Sequence, residues 1–371
     1  MQKPAPAMER TVPQPSLDVL SLPLEALTAL VVEQLGERSF RARQLYQWVH
    51  QRGETSFERM SDLPIAFRER LSALATLTPL AVDLEQRSID GTVKYRFRTK
   101  DDRLIEAVYM PSPERRTLCV STQVGCAMAC RFCMTGTMGL QRNLTAGEIV
   151  AQVHEVNRRV AREEALSLLR PLTNLVFMGM GEPLHNFENL KAALSILQSK
   201  EGPNFSHRHI TVSTVGLVPM IERLGAETDV KLAISLNASH DAQRSDLMPV
   251  NRKWGIAELL EACRRFPLRQ GRRITFEYVL LQAVNDTDAD AHRLVELLQG
   301  VPAKVNLIPY NANPGLGFQS TGEGRAEAFR QILAAGHIAA FIRANRGRDI
   351  AAACGQLANR SGQAEASSLN H

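Results

Sequence analysis

Six times between Thr117 and Ala335 an apolar, largely β-branched run gives way to an amphipathic stretch of helical period. The pairs are TLCVSTQ with EIVAQVHEVNRRV, NLVFMGM with LKAALSILQ, HITVSTV with VPMIERL, VKLAISL with IAELLEACRRF, ITFEYVLL with ADAHRLVELL, and KVNLIP with AEAFRQILAA. Strands that read as near-continuous apolar runs are buried on both faces, and a helix between successive strands makes the crossover parallel. The chain is therefore α/β, a parallel sheet with helices outside it. Six units are fewer than the eight that close an ordinary barrel, which leaves an open doubly wound sheet or a partial barrel. Either one gathers function at the C-terminal ends of the strands. There the sequence places a cysteine cluster after the first strand, GMGEP after the second, STVG after the third, SLNAS after the fourth and YNANPG after the sixth. One helix start is legible in detail: Thr145 with Glu148 forms a capping box, and Leu144 with Ile149 its hydrophobic staple.

The N-terminal third has a different rhythm. From Ser21 to about Leu77 apolar residues recur at three and four spacing through LEALTALVVEQL, ARQLYQWVHQR and AFRERLSAL, which predicts a small helical domain with no strand. Arg38 to Arg70 holds seven Arg and four acidic residues, with Tyr46, Trp48 and His50 interleaved. That composition suits gripping phosphates and stacking bases, and it equally describes a solvated helix face over core aromatics. Between Val82 and Tyr109 the period falls to two, in VKYRFRT and RLIEAVYM, predicting a short antiparallel ribbon. Residues 1–16 read as a proline-broken, disordered tail without an export signal, and no run approaches the ~18 apolar residues of a membrane span. The expectation is a cytoplasmic protein with no membrane partner. In that reducing compartment six cysteines read as ligands or catalytic thiols rather than bridges. A net charge of +5 permits a polyanion partner without requiring one.

The most specific signal is GCAMACRFC, where Cys126, Cys130 and Cys133 have the spacing C-x3-C-x2-C. Three thiolates on one short loop can hold three irons of a cuboidal 4Fe–4S cluster, leaving the fourth iron open for substrate. Cys119, Cys263 and Cys354 could each in principle fill the fourth position, but none lies inside the loop, so an open site is the simpler reading. The competing reading is zinc held by three Cys and one His, but the nearest following histidine, His154, falls in a predicted helix beyond zinc-ligand spacing.

The cysteine loop, GMGEP and the six units resemble the radical-SAM superfamily. LCVSTQVGCAMACRFC, RNLTAGEIVAQV, NLVFMGMGEPL, SLNASHDAQRSDLMPVNR and DIAAACGQL go further and resemble the RlmN/Cfr-type RNA methyltransferases. The helical N-terminus is similar to the accessory domain of the RlmN branch. The resemblance implies a partial (β/α)6 radical-SAM barrel over residues 116–345, a helical accessory RNA-binding domain over 17–80 and a short β-ribbon over 81–115 linking them. Residues 346–371 would form a C-terminal segment with a methyl-carrying cysteine.

It also implies a chemistry. An adenine C2 or C8 carbon has no lone pair to attack a methyl cation, so polar transfer fails and a radical is needed. The implied cofactors are a 4Fe–4S cluster on Cys126, Cys130 and Cys133 and two molecules of S-adenosylmethionine per turnover. The first methylates a cysteine, matched here by Cys354. The second is cleaved at the cluster to a 5′-deoxyadenosyl radical that takes hydrogen from that methyl, and the resulting carbon radical adds to the base to leave a covalent adduct. Cys119 matches the thiol that attacks the Cys354 sulfur and releases product as a disulfide. Glu106 matches the general base that removes the proton from the base carbon.

Gly181 and Glu182 match the contact to the amino group of S-adenosylmethionine, and Ser213, then Ser235, Leu236 and Asn237, then Asn311 match contacts to its ribose, carboxylate and adenine. Asn237 stands where the family usually has His. Without the resemblance Cys354 reads as a small buried residue among alanines, Glu106 as a charge on the polar face of a ribbon, and Cys263 as a core helix thiol.

The implied substrate is adenine C2 of large-subunit (23S) ribosomal RNA, with transfer RNA as a second target. A Cfr-like enzyme acting on C8 or another RNA base, and a non-catalytic iron–sulfur or zinc RNA-binding protein, are the alternatives. Arg115, Arg116, Arg131, Arg142, Arg343, Arg346 and Arg348 fit either an RNA phosphate track or solvated loop charge. The target nucleotide would have to leave its stack to be reached. An electron donor such as flavodoxin and a monomeric state complete the expectation.

Overall fold

The ten strands of the main sheet lie side by side in chain order, an arrangement that needs only neighbour-to-neighbour crossovers. They are β1 Ala81–Arg87, β2 Val93–Arg98, β3 Leu104–Pro111, β4 Arg116–Cys119, β5 Asn174–Phe177, β6 Ile210–Thr214, β7 Lys231–Ser235, β8 Ile274–Leu280, β9 Ala303–Pro309 and β10 Ala339–Ile342. The computed structural model describes residues 17–165, 170–313 and 315–358; the tail expected over 1–16 and the end of the C-terminal segment fall outside them.

From β4 to β10 every pairing is parallel. All six expected strand–helix pairs are present, with helices Ala146–Glu163, Phe187–Gln198, Val218–Glu227, Ile256–Arg265, Asp288–Leu297 and Glu323–Ala335. A seventh parallel strand, β10, was not anticipated. Its AAFI run is short, and as an edge strand it leaves Phe341 and Ile342 exposed, so it carries no clear burial pattern. The capping box forms as expected: Glu148 N donates to Thr145 Oγ1 at 3.1 Å and Thr145 N to Glu148 Oε2 at 2.9 Å. Leu144 and Ile149 are fully buried beside it.

The antiparallel ribbon has three strands rather than two, and it is continuous with the sheet because β3 pairs with β4. AVDLEQR hid the extra strand, since its side chains are exposed or half-buried and its register breaks between Val82 and Leu84.

The N-terminal region is helical over Leu24–Ala29, Ser39–His50 and Ile65–Leu74. Contrary to the sequence reading it also contains a two-residue parallel bridge, Leu17–Asp18 with Ala75–Thr76, too short to leave an alternating pattern. Its apolar face shares one continuous core with the sheet. Gly147, in the first turn of helix Ala146–Glu163, makes close docking possible. Its N–H donates to Ser21 Oγ at 2.9 Å, and a Cβ there would lie 2.5 Å from Asp18 Oδ2. Tyr46 and His50 are core residues, so they offer no stacking platform. Trp48 is half-buried under the Arg52 guanidinium, 3.9 Å from its ring centroid. Arg43, Arg59 and Arg70 face Glu201, Glu54 and Glu37.

Beyond β10 the chain returns to the hairpin joining β1 and β2. Gly347 N donates to Asp90 Oδ2 at 3.0 Å and Ser88 Oγ donates to Asp349. Gly347 sits at φ 62°, the left-handed turn that lets the segment double back. It then reaches the short helix Met134–Thr137, where Met134 N donates to the carbonyl of Gly355 at 2.8 Å. The C-terminal segment thus ties the far side of the sheet to its first hairpin.

Candidate active site

The cysteine loop is held shut at its base. Gln123–Gly125 pairs antiparallel with Leu140–Asn143, Gly125 adopts φ 77°, and a Cβ on it would lie 1.9 Å from the carbonyl oxygen of Gly139. Only glycine permits that approach. Cys126 N then donates to the same carbonyl at 3.0 Å, and Cys133 N to that of Cys130 at 3.1 Å. All three sulfurs line one cavity at the C-terminal ends of the strands. Burial pushes the Cys126 thiol up to about 12 and raises those of Cys130 and Cys133 as well. Thiols so desolvated ionise only with cationic compensation, which bound iron supplies. Zinc in a structural site takes four ligands at one tetrahedral centre, so the loop would need a fourth donor to bind it. His154 is elsewhere, its Nε2 3.2 Å from His50 Nδ1 at the N-terminal joint. Three thiols lining one cavity fit a cuboidal cluster, in which each would bind its own iron.

Eleven of the thirteen expected site residues line that cavity: the loop cysteines, Gly181, Glu182, Ser213, Ser235, Asn237, Asn311, Cys119 and Cys354. Gly181, at φ 98°, lets the GMGEP turn press on Gln123, whose Cβ would lie 2.5 Å from a Cβ there. Gln123 Oε1 accepts from Glu182 N at 2.8 Å in return. The Glu182 carboxylate is 2% exposed and accepts from Val215 N at 2.9 Å and Leu184 N at 3.1 Å, while burial pushes its pKa up to about 7. A carboxylate in that environment gains most from a cationic partner, such as the ammonium of an amino acid. Asn311 Oδ1 is buried with no protein partner, an acceptor left for a ligand donor.

Asn237 is tied into the scaffold around it. It adopts φ 58°, its Oδ1 accepts from Val279 N at 2.8 Å, and its Nδ2 donates to Met248 Sδ at 3.3 Å. The amide therefore serves the scaffold, joining the loop after β7 to β8. Leu236 is fully buried and does not line the cavity; its main chain binds the carbonyl of Glu277 at 3.0 Å.

Cys119, at the end of β4, and Cys354, in the C-terminal segment, share the cavity wall. Both are free thiols, so the disulfide implied for product release is not formed here. Cys119 is buried and its thiol is pushed up to about 12, first by desolvation and then by Cys354, against the pull of Arg343. Cys354 is open to solvent, yet the walls crowding its sulfur raise its pKa too. Glu106 is 2% exposed on β3, so it is no surface charge on a polar face. It does not line the cavity itself, although Val108 and Met110 on the same face of β3 do. Its Oε2 accepts from Ala358 N at 3.0 Å, and its Oε1 lies 3.7 Å from Lys94 Nζ. Cys263 is a core thiol, 1% exposed.

Three functional neighbours escaped the sequence reading. Arg244 is fully buried on helix Asp241–Leu247 and donates to Leu236 O at 3.1 Å, Val215 O at 2.6 Å, Ser235 O at 3.2 Å and Asn251 Oδ1 at 3.0 Å. Glu277 lines the cavity and accepts from Asn306 Nδ2 at 2.9 Å, and burial raises its pKa. Lys94 is buried on β2. In sequence Arg244 and Lys94 stand in polar or amphipathic stretches where a charge reads as solvated, and Glu277 is a lone charge inside the apolar run ITFEYVLL.

Part of the expected phosphate track is already committed. Arg142 is clamped between Asp101 and Glu148, Arg116 binds Glu164, and Arg131 binds Asp246. Arg343 and Arg346 line the cavity instead. No helix among the described residues is long and apolar enough to cross a membrane.

Residues 17–77 match the family described as Ribosomal RNA large subunit methyltransferase N-terminal domain, and residues 120–295 match the Radical SAM superfamily. The chain is 72% identical over 357 residues to a Myxococcus xanthus protein called Dual-specificity RNA methyltransferase RlmN 2, covering 96% of this chain and 93% of that one. It is 61% identical over 345 residues to Dual-specificity RNA methyltransferase RlmN of Anaeromyxobacter dehalogenans, covering 93% and 92%. Among solved structures, that of a radical SAM methyltransferase from Sphaerobacter thermophilus is 48% identical, with a TM-score of 0.86, over 92% of this chain and 99% of that one.

Proposed function

The chain belongs to the RlmN family of radical SAM RNA methyltransferases, and from that premise we propose that it methylates adenine C2 in 23S ribosomal RNA and in transfer RNA, with Cys354 as methyl carrier. The observation that carries this reading is the meeting in one cavity of three loop thiols with two further thiols, Cys119 from the middle of the sheet and Cys354 from beyond its last strand. A radical-SAM site without a carrier cysteine needs only the first three.

The loop thiols of Cys126, Cys130 and Cys133 hold the cluster, while Glu182, Gly181, Ser213, Ser235 and Asn311 bind S-adenosylmethionine. Bound together, the two groups supply the methyl group and the one-electron cleavage that makes it reactive. The protein does the rest. Cys354, solvent-open, presents the carbon to the extruded base. Glu106 takes the proton from the ring carbon, the C–H electron pair staying in the ring while the adduct's single unpaired electron would pass back to the iron–sulfur group held by the loop thiols. The Cys119 thiolate then attacks the Cys354 sulfur, so that an S–S bond forms and the S–CH2 bond breaks with its electron pair left on carbon, which takes a proton from solvent to become the methyl group. Arg343 and Arg346 at the cavity are placed for RNA phosphates. The reaction runs in the cytoplasm with a low-potential electron donor such as flavodoxin.

The test is nucleoside mass spectrometry of ribosomal and transfer RNA from a deletion strain. Loss of 2-methyladenosine from both, restored by the intact gene, is expected. Loss of an 8-methyl product, or of neither, would overturn the assignment.

A further inference from the structure

Lys94 is a buried ammonium whose partners include a carboxylate and a main-chain carbonyl. Its Nζ lies 3.7 Å from Glu106 Oε1 and donates to the carbonyl of Ala351 at 3.3 Å. The other oxygen of the same carboxylate accepts from Ala358 N at 3.0 Å. Ala351 and Ala358 bracket Cys354 in the chain, so the carboxylate is fastened to the cysteine-bearing segment on both sides of the thiol. The geometry of the sheet makes this possible: Lys94 is the register partner of Val108 and Arg96 that of Glu106, which puts Lys94 diagonally opposite Glu106 on one face. Arg96, facing Glu106 directly, also binds Asp83 at 2.6 Å. Burying a lysine and a glutamate together carries a desolvation cost, and apolar side chains of similar size would pack at least as well, so stability alone does not account for the pair.

We propose that Lys94 is a positioning residue that holds Glu106 in register with the segment carrying Cys354, so that the carboxylate reaches the ring proton only when the methyl carbon is already bonded to the base. This rests on Glu106 acting as the base. A proton on the ring carbon becomes removable only in the adduct, so a base fixed to the carrier segment acts at that stage and no earlier. A misplacement of about 1 Å at such a step can cost about a hundredfold in rate.

The experiment compares Lys94→Met, Lys94→Arg and Glu106→Gln in the full-length, cluster-loaded enzyme, using RNA with hydrogen or deuterium at adenine C2. Lys94→Met should keep its iron, its S-methylcysteine at position 354 and its KM for RNA. Its kcat should fall about a hundredfold, covalent RNA–protein adduct should accumulate with Cys119 intact, and the deuterium effect on turnover should exceed that of the parent. Lys94→Arg, which retains a cation able to bridge both partners, should restore turnover. Should Lys94→Met fail to fold, Lys94→Gln keeps a donor for the Ala351 carbonyl and carries the same expectation. An active fraction of either variant that turns over with the parental deuterium effect and no adduct would mean that Lys94 is only structural. Normal turnover by Glu106→Gln would instead remove the premise, whereas an adduct trapped by Glu106→Gln but not by Lys94→Met defeats this inference alone.

Discussion

Cys119 and Cys354 line one cavity close enough that charge on Cys354 opposes ionisation of Cys119, although one ends a strand in the middle of the sheet and the other follows its last strand. The fold, and not their spacing in sequence, brings the two thiols to one wall. Their environments differ, Cys119 buried and Cys354 open, and that asymmetry suits an internal resolving thiol and an outward-facing carrier.

The two substitutions should therefore fail differently. Cys354→Ala should yield neither S-methylcysteine nor methylated RNA while still loading iron. Cys119→Ala should trap RNA on the protein through a methylene bridge, seen as a nuclease-sensitive mass addition. Normal turnover by Cys119→Ala, or peptide mapping that places the methyl on Cys263, would refute this division of labour.

Cys119 also predicts a pH dependence. With a pKa pushed up to about 12, roughly one thiol in 10⁵ is ionised at neutral pH, and the thiolate is the nucleophile. A raised thiol pKa means that the reactive form grows as pH rises, about tenfold per unit up to that value. Resolution of preformed adduct should follow this slope between pH 7 and 9 in rapid-quench measurements, while formation of S-methylcysteine need not. A flat profile would show that another group takes the thiol proton.

Iron content separates the cluster from zinc. Changing Cys126, Cys130 or Cys133 to Ala should abolish the visible absorption of anaerobically reconstituted protein and its cleavage of S-adenosylmethionine. In the proposed cluster each thiol would hold a separate iron, so no single loss is compensated by the others. Stoichiometric zinc with no iron after anaerobic purification would contradict this.

What the sequence made legible was whatever repeats or clusters locally. Six strand–helix units, the cysteine loop and the Thr145–Glu148 capping box each announce themselves within a few residues, and all stand in the structure. The missed features are set by distant parts of the chain. AAFI becomes a strand only because Lys304–Leu307 on β9 offers it an edge. Glu106 resembles a surface charge until the segment reaching Ala358 covers it. Tyr46 and His50 look like a base-stacking pair until docking against the core buries them. Arg142 looks like a phosphate ligand until Asp101 and Glu148 close on it.

Arg244 is the strongest instance and gives the last prediction. A guanidinium with no exposure would be costly if unsatisfied, yet this one binds four oxygens, three of them main-chain carbonyls following β6 and at the end of β7, beside Ser213, Ser235 and Asn237. Desolvation lowers its pKa to about 10, so it remains charged at neutral pH. Its planar fork spans acceptors in several directions, which a lysine ammonium cannot do. Arg244→Lys keeps the charge but forfeits at least two of the bonds, each worth about 1.5–3 kcal/mol to a charged donor. The variant should lose about 3 kcal/mol or more of stability by denaturant melting. Because the released carbonyls belong to the loops that flank the cofactor residues, its KM for S-adenosylmethionine should rise while iron loading and RNA affinity hold. Equal losses in iron, cofactor and RNA binding would show that Arg244 supports the whole fold rather than those loops.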